Sequence, residues 1–381
     1  MEDFISYPER YTSLYGCQQL SLEEWNQQGE AHFILGMYSL VSGLIFYSLY
    51  IPCLIILKTK DFWNNSCYKI MFFYGLMDQI GIFTNCFVGG VMALQGYVFC
   101  SSPTFVFICG CVGSFAYAAQ LLASILLAFN RFIDLWHHDL TLIFFDSLRT
   151  YVWLLIPLTY GFYCMIRFPP LVFSSLGPGW IADPYYGSDF VTNSTTHPTF
   201  YYSSVNLTLL GILAGMLVAL SVMLLIKAYF DRTELTSVYN FHKMVTLISI
   251  SFCCLLAVPV FGTFFIDHIY ASQVSNSVIL ITSQLNNGIP CLVFMFVNQK
   301  IRENVLSLLP RRLFSDSKSA QVIYVTSNMY GNTKITANGP EPSVRHIRSS
   351  RGDRATDAPY TTHEPIKNSS YSAQLYQAAL G

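Results

Sequence analysis

The first residue in this sequence that could do chemistry is an acid in the middle of an apolar run. Asp78 lies inside Ile70–Leu94 and is the single formally charged residue in seven such runs. A lone carboxyl at the centre of a bilayer costs on the order of 3 kcal/mol or more unless it is paired, so it is a functional hypothesis by default. Its natural partners are the amides in Asn286-Asn287-Gly288-Ile289-Pro290. These groups could hold a sodium ion or a water cluster, or the carboxyl could carry a proton. Pro290 lacks a backbone donor, so its helix is expected to kink there and to be able to rearrange. A second polar pair, Asn130-Arg131, closes the run Thr104–Phe129. An Arg there can hold one state through local contacts and release it in another, or simply anchor a helix whose dipole favours a cation at that end.

Enzyme chemistry is not legible. One Asp cannot make a metal site, and no His falls inside any run. His137-His138 are adjacent, so their side chains diverge on a helix. The 11 cysteines form no paired Cys-x-x-Cys set and have no His at ligand spacing. No glycine-rich phosphate loop occurs. The net charge of −1 supplies no field for nucleic acid. We therefore expect no catalytic residue, no cofactor, no nucleic-acid partner and no metal beyond the sodium considered at Asp78.

The elements that must position these residues follow from the charge distribution. Of 381 residues 53% are hydrophobic and only 11% charged, against about 25% charged in soluble domains. A bilayer core of about 30 Å takes roughly 20 apolar residues as a helix. The runs that meet or approach this length are Phe33–Leu57, Ile70–Leu94, Thr104–Phe129, Thr150–Ile166, Ser203–Ile226, Met244–Ile266 and Ser277–Val297. Backbone groups in lipid must pair within their own segment, and the alternating pattern of a barrel strand is missing, so seven helices are expected. An all-α membrane protein follows: a seven-transmembrane helix bundle, with a short amphipathic eighth helix over Asn298–Leu306.

Lys and Arg set the orientation. Twelve, from Lys58 to Arg312, lie on one side of the runs, and only Arg10 and Arg167 lie on the other. The N-terminus is expected outside and the C-terminus inside. Residues 1–32, with six acids and one Arg, form an extracellular segment without the apolar core of a cleavable signal. Residues 33–309 form the bundle with its amphipathic helix, and 310–381 a disordered cytoplasmic tail rich in Ser and Thr. On this topology Asn193, in Asn193-Ser194-Thr195, is the glycosylation acceptor. Cys17 and Cys100 are the two cysteines that meet the oxidising exterior, and we expect them to pair. Aromatic residues crowd the outer halves of the helices, including Phe107, Phe115, Tyr117, Phe261 and Phe264. A cavity walled by Tyr117, Gln120, Phe261, Phe264 and Ser283 would suit a small, largely neutral ligand.

Three of these patterns resemble the switches of rhodopsin-like receptors. Asn130-Arg131-Phe132 resembles the Asp/Glu-Arg-Tyr motif, Asp78 the lone acid of the second helix, and Asn286–Pro290 loosely the Asn-Pro-x-x-Tyr motif. Trp153 with Pro157, and Pro259 in the sixth run, add to this. More specifically, the chain resembles the nematode serpentine chemoreceptors of class T. The resemblance rests on Leu49-Tyr50-Ile51-Pro52-Cys53-Leu54, Ser66-Cys67-Tyr68-Lys69-Ile70-Met71, Phe99-Cys100-x-x-Pro103, Leu127-Ala128-Phe129-Asn130-Arg131, Asn287-Gly288-Ile289-Pro290 and Asn298-x-x-Ile301-Arg302. It covers roughly residues 10–310. It implies a G-protein-coupled chemosensory receptor in the plasma membrane, or in a sensory cilium. Such a receptor takes a small-molecule or peptide ligand from outside and a heterotrimeric G protein inside, with arrestin or trafficking adaptors on the tail and lipid around the bundle. Asn130, Arg131, Asp78, Asn287, Pro290 and Pro259 would then be coupling and switch residues. Ala257 two residues before Pro259, Gly113 in the third run and the absence of cysteine from the long outer loop depart from the rhodopsin-like pattern. The alternatives are a seven-helix ligand-gated channel subunit and a transporter.

Overall fold

Residues 1–32 are not a featureless leader. Pro8 starts α2 (Pro8–Tyr15), where its missing N–H is no loss, directly after the single turn α1 (Glu2–Ser6). α3 (Leu22–Gln28) opens with a capping box: the Glu24 N–H donates to Ser21 Oγ at 3.3 Å, and the Ser21 N–H donates to the Glu24 carboxylate at 2.8 Å. The computed structural model describes residues 1–146, 148–188, 204–230, 273–297 and 299–308.

Six of the seven apolar runs are helical among these residues. They are α4 (Phe33–Leu57), α5 with α6 (Ser66–Ile82 and Gly89–Gln95), α7 (Pro103–Trp136), α9 (Arg149–Arg167), α10 (Ser204–Phe230) and α11 (Gln273–Val297). Short α8 (His138–Phe145) lies between α7 and α9, and α12 (Gln299–Leu308) follows α11. Five of the described helices are long and apolar enough to cross a membrane, and a sixth crossing is reached if α8 and α9 count as one bent span. The sixth run, 244–266, lies outside the described residues, as do Pro259, Phe261, Phe264 and Asn193.

Two helices depart from the expected bounds in ways that matter. α7 continues about two turns past Phe129, so Asn130, Arg131 and Asp134 stand on a helix and not in a loop. The second run starts at Ser66, capped by Asn65, and widens into a π-helical segment at Phe83–Val88 between α5 and α6. The wide turn leaves the Asn85 carbonyl to accept from the Gln284 amide of α11 at 3.1 Å. Gly96, at φ 67°, then ends α6 in the left-handed region.

The long segment after α9 carries a hairpin. β1 (Val172–Ser174) pairs antiparallel with β2 (Gly179–Ile181), with Phe173 opposite Trp180. Gly110 of α7 lets it approach, because a β-carbon there would sit 2.0 Å from the Leu171 carbonyl oxygen. α7 packs against α5, α9 and α10, while α4 packs against α5, α6, α11 and α12. Apolar burial falls in two clusters. One fills the bundle around Tyr50, Leu57, Ile70, Leu121 and Phe294, and the other joins residues 1–25 to the hairpin and to the start of α7.

Candidate functional site

Mid-bundle, Asp78 is fully buried together with Tyr50, Tyr74, Gln120, Ser124 and Asn286. Its partners differ from those expected. The Tyr50 hydroxyl of α4 donates to one carboxylate oxygen, and the Gln120 amide of α7 donates to the other. Gln120 also donates to the Tyr74 hydroxyl at 2.8 Å and accepts from the Asn286 amide at 3.4 Å. Asn286 thus joins one step removed, through Gln120. Asn287 packs its amide against Gly81, where a β-carbon would meet it at 2.5 Å. The reason is geometric: an α-helix presents adjacent residues 100° apart, so two consecutive asparagines cannot both face one carboxyl. The resulting chain ties α4, α5, α7 and α11 together at one depth. A turn further out, the Gln284 amide donates to Ser39 Oγ of α4 at 2.8 Å, adding a second tie between α11 and α4.

At the end of α7 away from residues 1–32, Arg131 is 1% exposed. Its guanidinium pairs with Asp134 one turn on at 2.9 Å and donates to the Asn65 side-chain oxygen at 3.4 Å. That same oxygen accepts the Cys67 N–H at 2.9 Å, so the cap of α5 is also the seat of the arginine. Asn130 donates to Ser66 Oγ at 3.0 Å. Both residues of the pair therefore key α7 onto the first turn of α5. Asp134, Asn65 and Ser66 were not singled out from the sequence. The Arg131/Asp134 spacing of i, i+3 was the available signal for the first of these. The other two needed the fold. Nearby Lys69, 6% exposed, sits over the Tyr151 ring at 5.2 Å.

The remaining assignments separate. Gln120, expected in a ligand cavity, is committed to Asp78. Tyr117 packs against the bundle core, and Ser283 returns its hydroxyl to Ile279 of its own helix at 2.8 Å. Pro290 stands inside α11, where Gly288 brings the helix against Phe46, with only 2.3 Å left for a β-carbon. Phe107, one of the aromatics expected at the outer halves of the helices, is a packing residue, 1% exposed beneath Phe4, Tyr11 and Tyr15, with ring centroids 5.0–5.6 Å away.

These rings belong to a cap on the end of the bundle opposite Arg131. Cys17 and Cys100 are joined by a disulfide, with Cα atoms 5.5 Å apart. The Trp25 indole donates to the Cys17 carbonyl at 3.1 Å and the Tyr185 hydroxyl to the Gly16 carbonyl at 2.6 Å. Arg167 pairs with Glu2 at 2.7 Å. Burial pushes the phenols of Tyr11 and Tyr185 up to about 12, with Cys111 and Asp183 respectively adding to the shift. Burial also raises the Asp183 carboxyl. The Ser21 N–H and hydroxyl hold Glu24 below the usual carboxylate range. No group of three or more His, Cys, Asp or Glu suited to a metal occurs among the described residues.

Three comparisons bear on this arrangement. A family model described as serpentine type 7TM GPCR chemoreceptor Srt matches residues 4–317. Serpentine receptor class T-55 of Caenorhabditis elegans is 27% identical over 334 residues, covering 86% of this chain and 88% of its own. Squid rhodopsin superposes with a TM-score of 0.52 at 10% identity, covering 79% of this chain and 90% of the rhodopsin. That likeness is one of fold: a seven-transmembrane helical bundle.

Proposed function

The chain belongs to the Srt family of serpentine seven-transmembrane chemoreceptors, and from that premise we propose that it binds a small molecule or peptide from outside the cell and activates a heterotrimeric G protein inside. One observation carries the coupling half of this reading. An arginine that merely anchored a helix would extend its guanidinium into the headgroup layer. Arg131 is folded inward instead, against Asp134 and Asn65, where it is 1% exposed. Breaking a buried pair by losing one partner costs about 3–5 kcal/mol, so this group is held in a state worth holding. A rearrangement that opened the inner end of the bundle would expose the guanidinium to a partner. Asn130, Asp78, Asn287, Pro290 and Pro259 would be the switch residues of such a rearrangement.

The orientation is supported twice. Basic residues crowd the Arg131 end, and a disulfide needs an oxidising compartment at the opposite end. The ligand would then meet the cap and the aromatic outer halves of the helices, with Tyr117, Ser283, Phe261 and Phe264 as wall residues. Asn193 would be glycosylated on that face. The tail beyond residue 310 would serve arrestin or trafficking adaptors. A plasma-membrane or ciliary location fits such a role.

The test is a ligand panel on cells expressing the chain with an N-terminal epitope. Staining of unpermeabilised cells and ligand-evoked G-protein activation are expected. The Arg131→Ala variant should keep the staining and lose the activation. A channel of inverted topology would leave the epitope unstained, and full signalling by Arg131→Ala would overturn the role given to this residue.

A further inference from the structure

We propose that the mid-membrane acid holds no sodium ion, and that the tie between α4, α5, α7 and α11 is made by side chains alone. A sodium ion bound to a buried carboxyl needs several oxygen lone pairs converging on one point, and it repels hydrogens aimed at that point. Around Asp78 the polarity is the reverse. One oxygen receives the Tyr50 O–H and the other the Gln120 N–H, so an ion taking the second lone pair of either oxygen would have a donor hydrogen beside it.

The neighbouring oxygens belong to the same side-chain network. Tyr74 accepts from Gln120 at 2.8 Å, Ser124 donates to the Gln120 carbonyl of the turn before at 2.9 Å, and the Gln120 side-chain oxygen faces the Asn286 amide. Asn286 turns its amide to Gln120, and its Oδ1 has no hydrogen-bond partner. A single neutral oxygen supplies too few ligands for a hard cation. Gln120 decides the matter. Its long side chain crosses from α7 to the carboxyl, filling the space and supplying the wrong sign of dipole for a cation. It is a positioning residue for Asp78, tied on its far side to α11.

The inference does not depend on the G-protein reading, and its test needs neither ligand nor G protein. The full chain, purified in lipid nanodiscs, is melted in sodium chloride and in N-methylglucamine chloride at equal ionic strength. An ion that binds only the native state would raise the melting temperature by mass action. The expected result is the same melting temperature in both salts. Tyr50→Phe and Gln120→Leu are each expected to lower it, and the double variant to lower it by less than the sum, because both donors hold one carboxyl. A sodium-specific rise in the wild-type chain would overturn the proposal. So would strictly additive losses in the double variant.

Discussion

Removing the Cys17–Cys100 disulfide should loosen the cap by an amount that can be worked from the topology. The two cysteines are 83 residues apart. For a free chain, the loop-closure relation puts the stabilisation at about 4.5 kcal/mol. The chain between them is not free, however. α4 and the α5–α6 pair stay inserted when the cap opens, so residues 33–95 remain a closed two-helix unit. Only roughly 20 residues, on either side of that unit, gain freedom, and the same relation then gives about 3 kcal/mol. At 1.4 kcal/mol per factor of ten, the cap of a Cys17→Ser, Cys100→Ser variant should open roughly a hundredfold more often. Hydrogen exchange measured by mass spectrometry in nanodiscs reads this directly in peptides over α2 and α3. The packing of Phe4, Tyr11 and Tyr15 on Phe107 is common to both proteins and cancels. Exchange that changes only a few-fold over α2 and α3 would refute the reasoning. So would equal acceleration along α7, since the bundle itself would then depend on the bond.

Two further outcomes follow from the end of the molecule that carries the cap. Gly110→Ala must push the β1 approach away from α7, because the new β-carbon meets a backbone oxygen and not a movable side chain. A loss of about 1–3 kcal/mol, seen as a lower melting temperature, is expected. Gly211→Ala, with nothing within 4 Å, should show no such loss. Acid should loosen α3. The hydrogen bonds from Ser21 lower the folded-state pKa of Glu24, so their stabilisation is fully present above the ordinary carboxylate value and fades as pH falls through the lowered one. Trp25 fluorescence followed down to low pH should report the change, and Glu24→Gln should flatten it, whereas Ser21→Ala, which keeps the main-chain N–H, should only diminish it.

The bundle was legible because lipid enforces one rule on every residue of a span: roughly 20 apolar positions, helical, with basic residues at one end. What escaped was whatever depended on contacts between segments. Phe4, Tyr11 and Tyr15 reach Phe107 from two separate short helices, an arrangement no single helical period announces, whereas Ser21-x-x-Glu24 is a capping signature. The π turn at Phe83–Val88 has no local signal, since nothing in Phe-Thr-Asn-Cys-Phe-Val forbids a regular helix. The carbonyl of Asn85 within it accepts from the amide of Gln284, 199 residues away. Asp78 was identifiable by its charge, but its partners were not. Sequence reasoning matched the acid with the nearest conspicuous amides, on α11. The fold supplied a tyrosine and a glutamine from α4 and α7, of which the second had been set aside for a ligand. A Gln buried in an apolar helix needs a partner as much as an Asp does, and pairing the two would have been the better inference.

The central claim is that Arg131 is the coupling residue, held back by Asp134. Guanine-nucleotide exchange on a panel of purified heterotrimers, catalysed by the reconstituted chain without ligand, tests it most directly. Asp134→Asn removes the charge that pins the arginine and should raise basal exchange several-fold over the wild-type chain on at least one heterotrimer, while Arg131→Ala stays at background. Equal exchange by all three proteins on every heterotrimer would contradict the account.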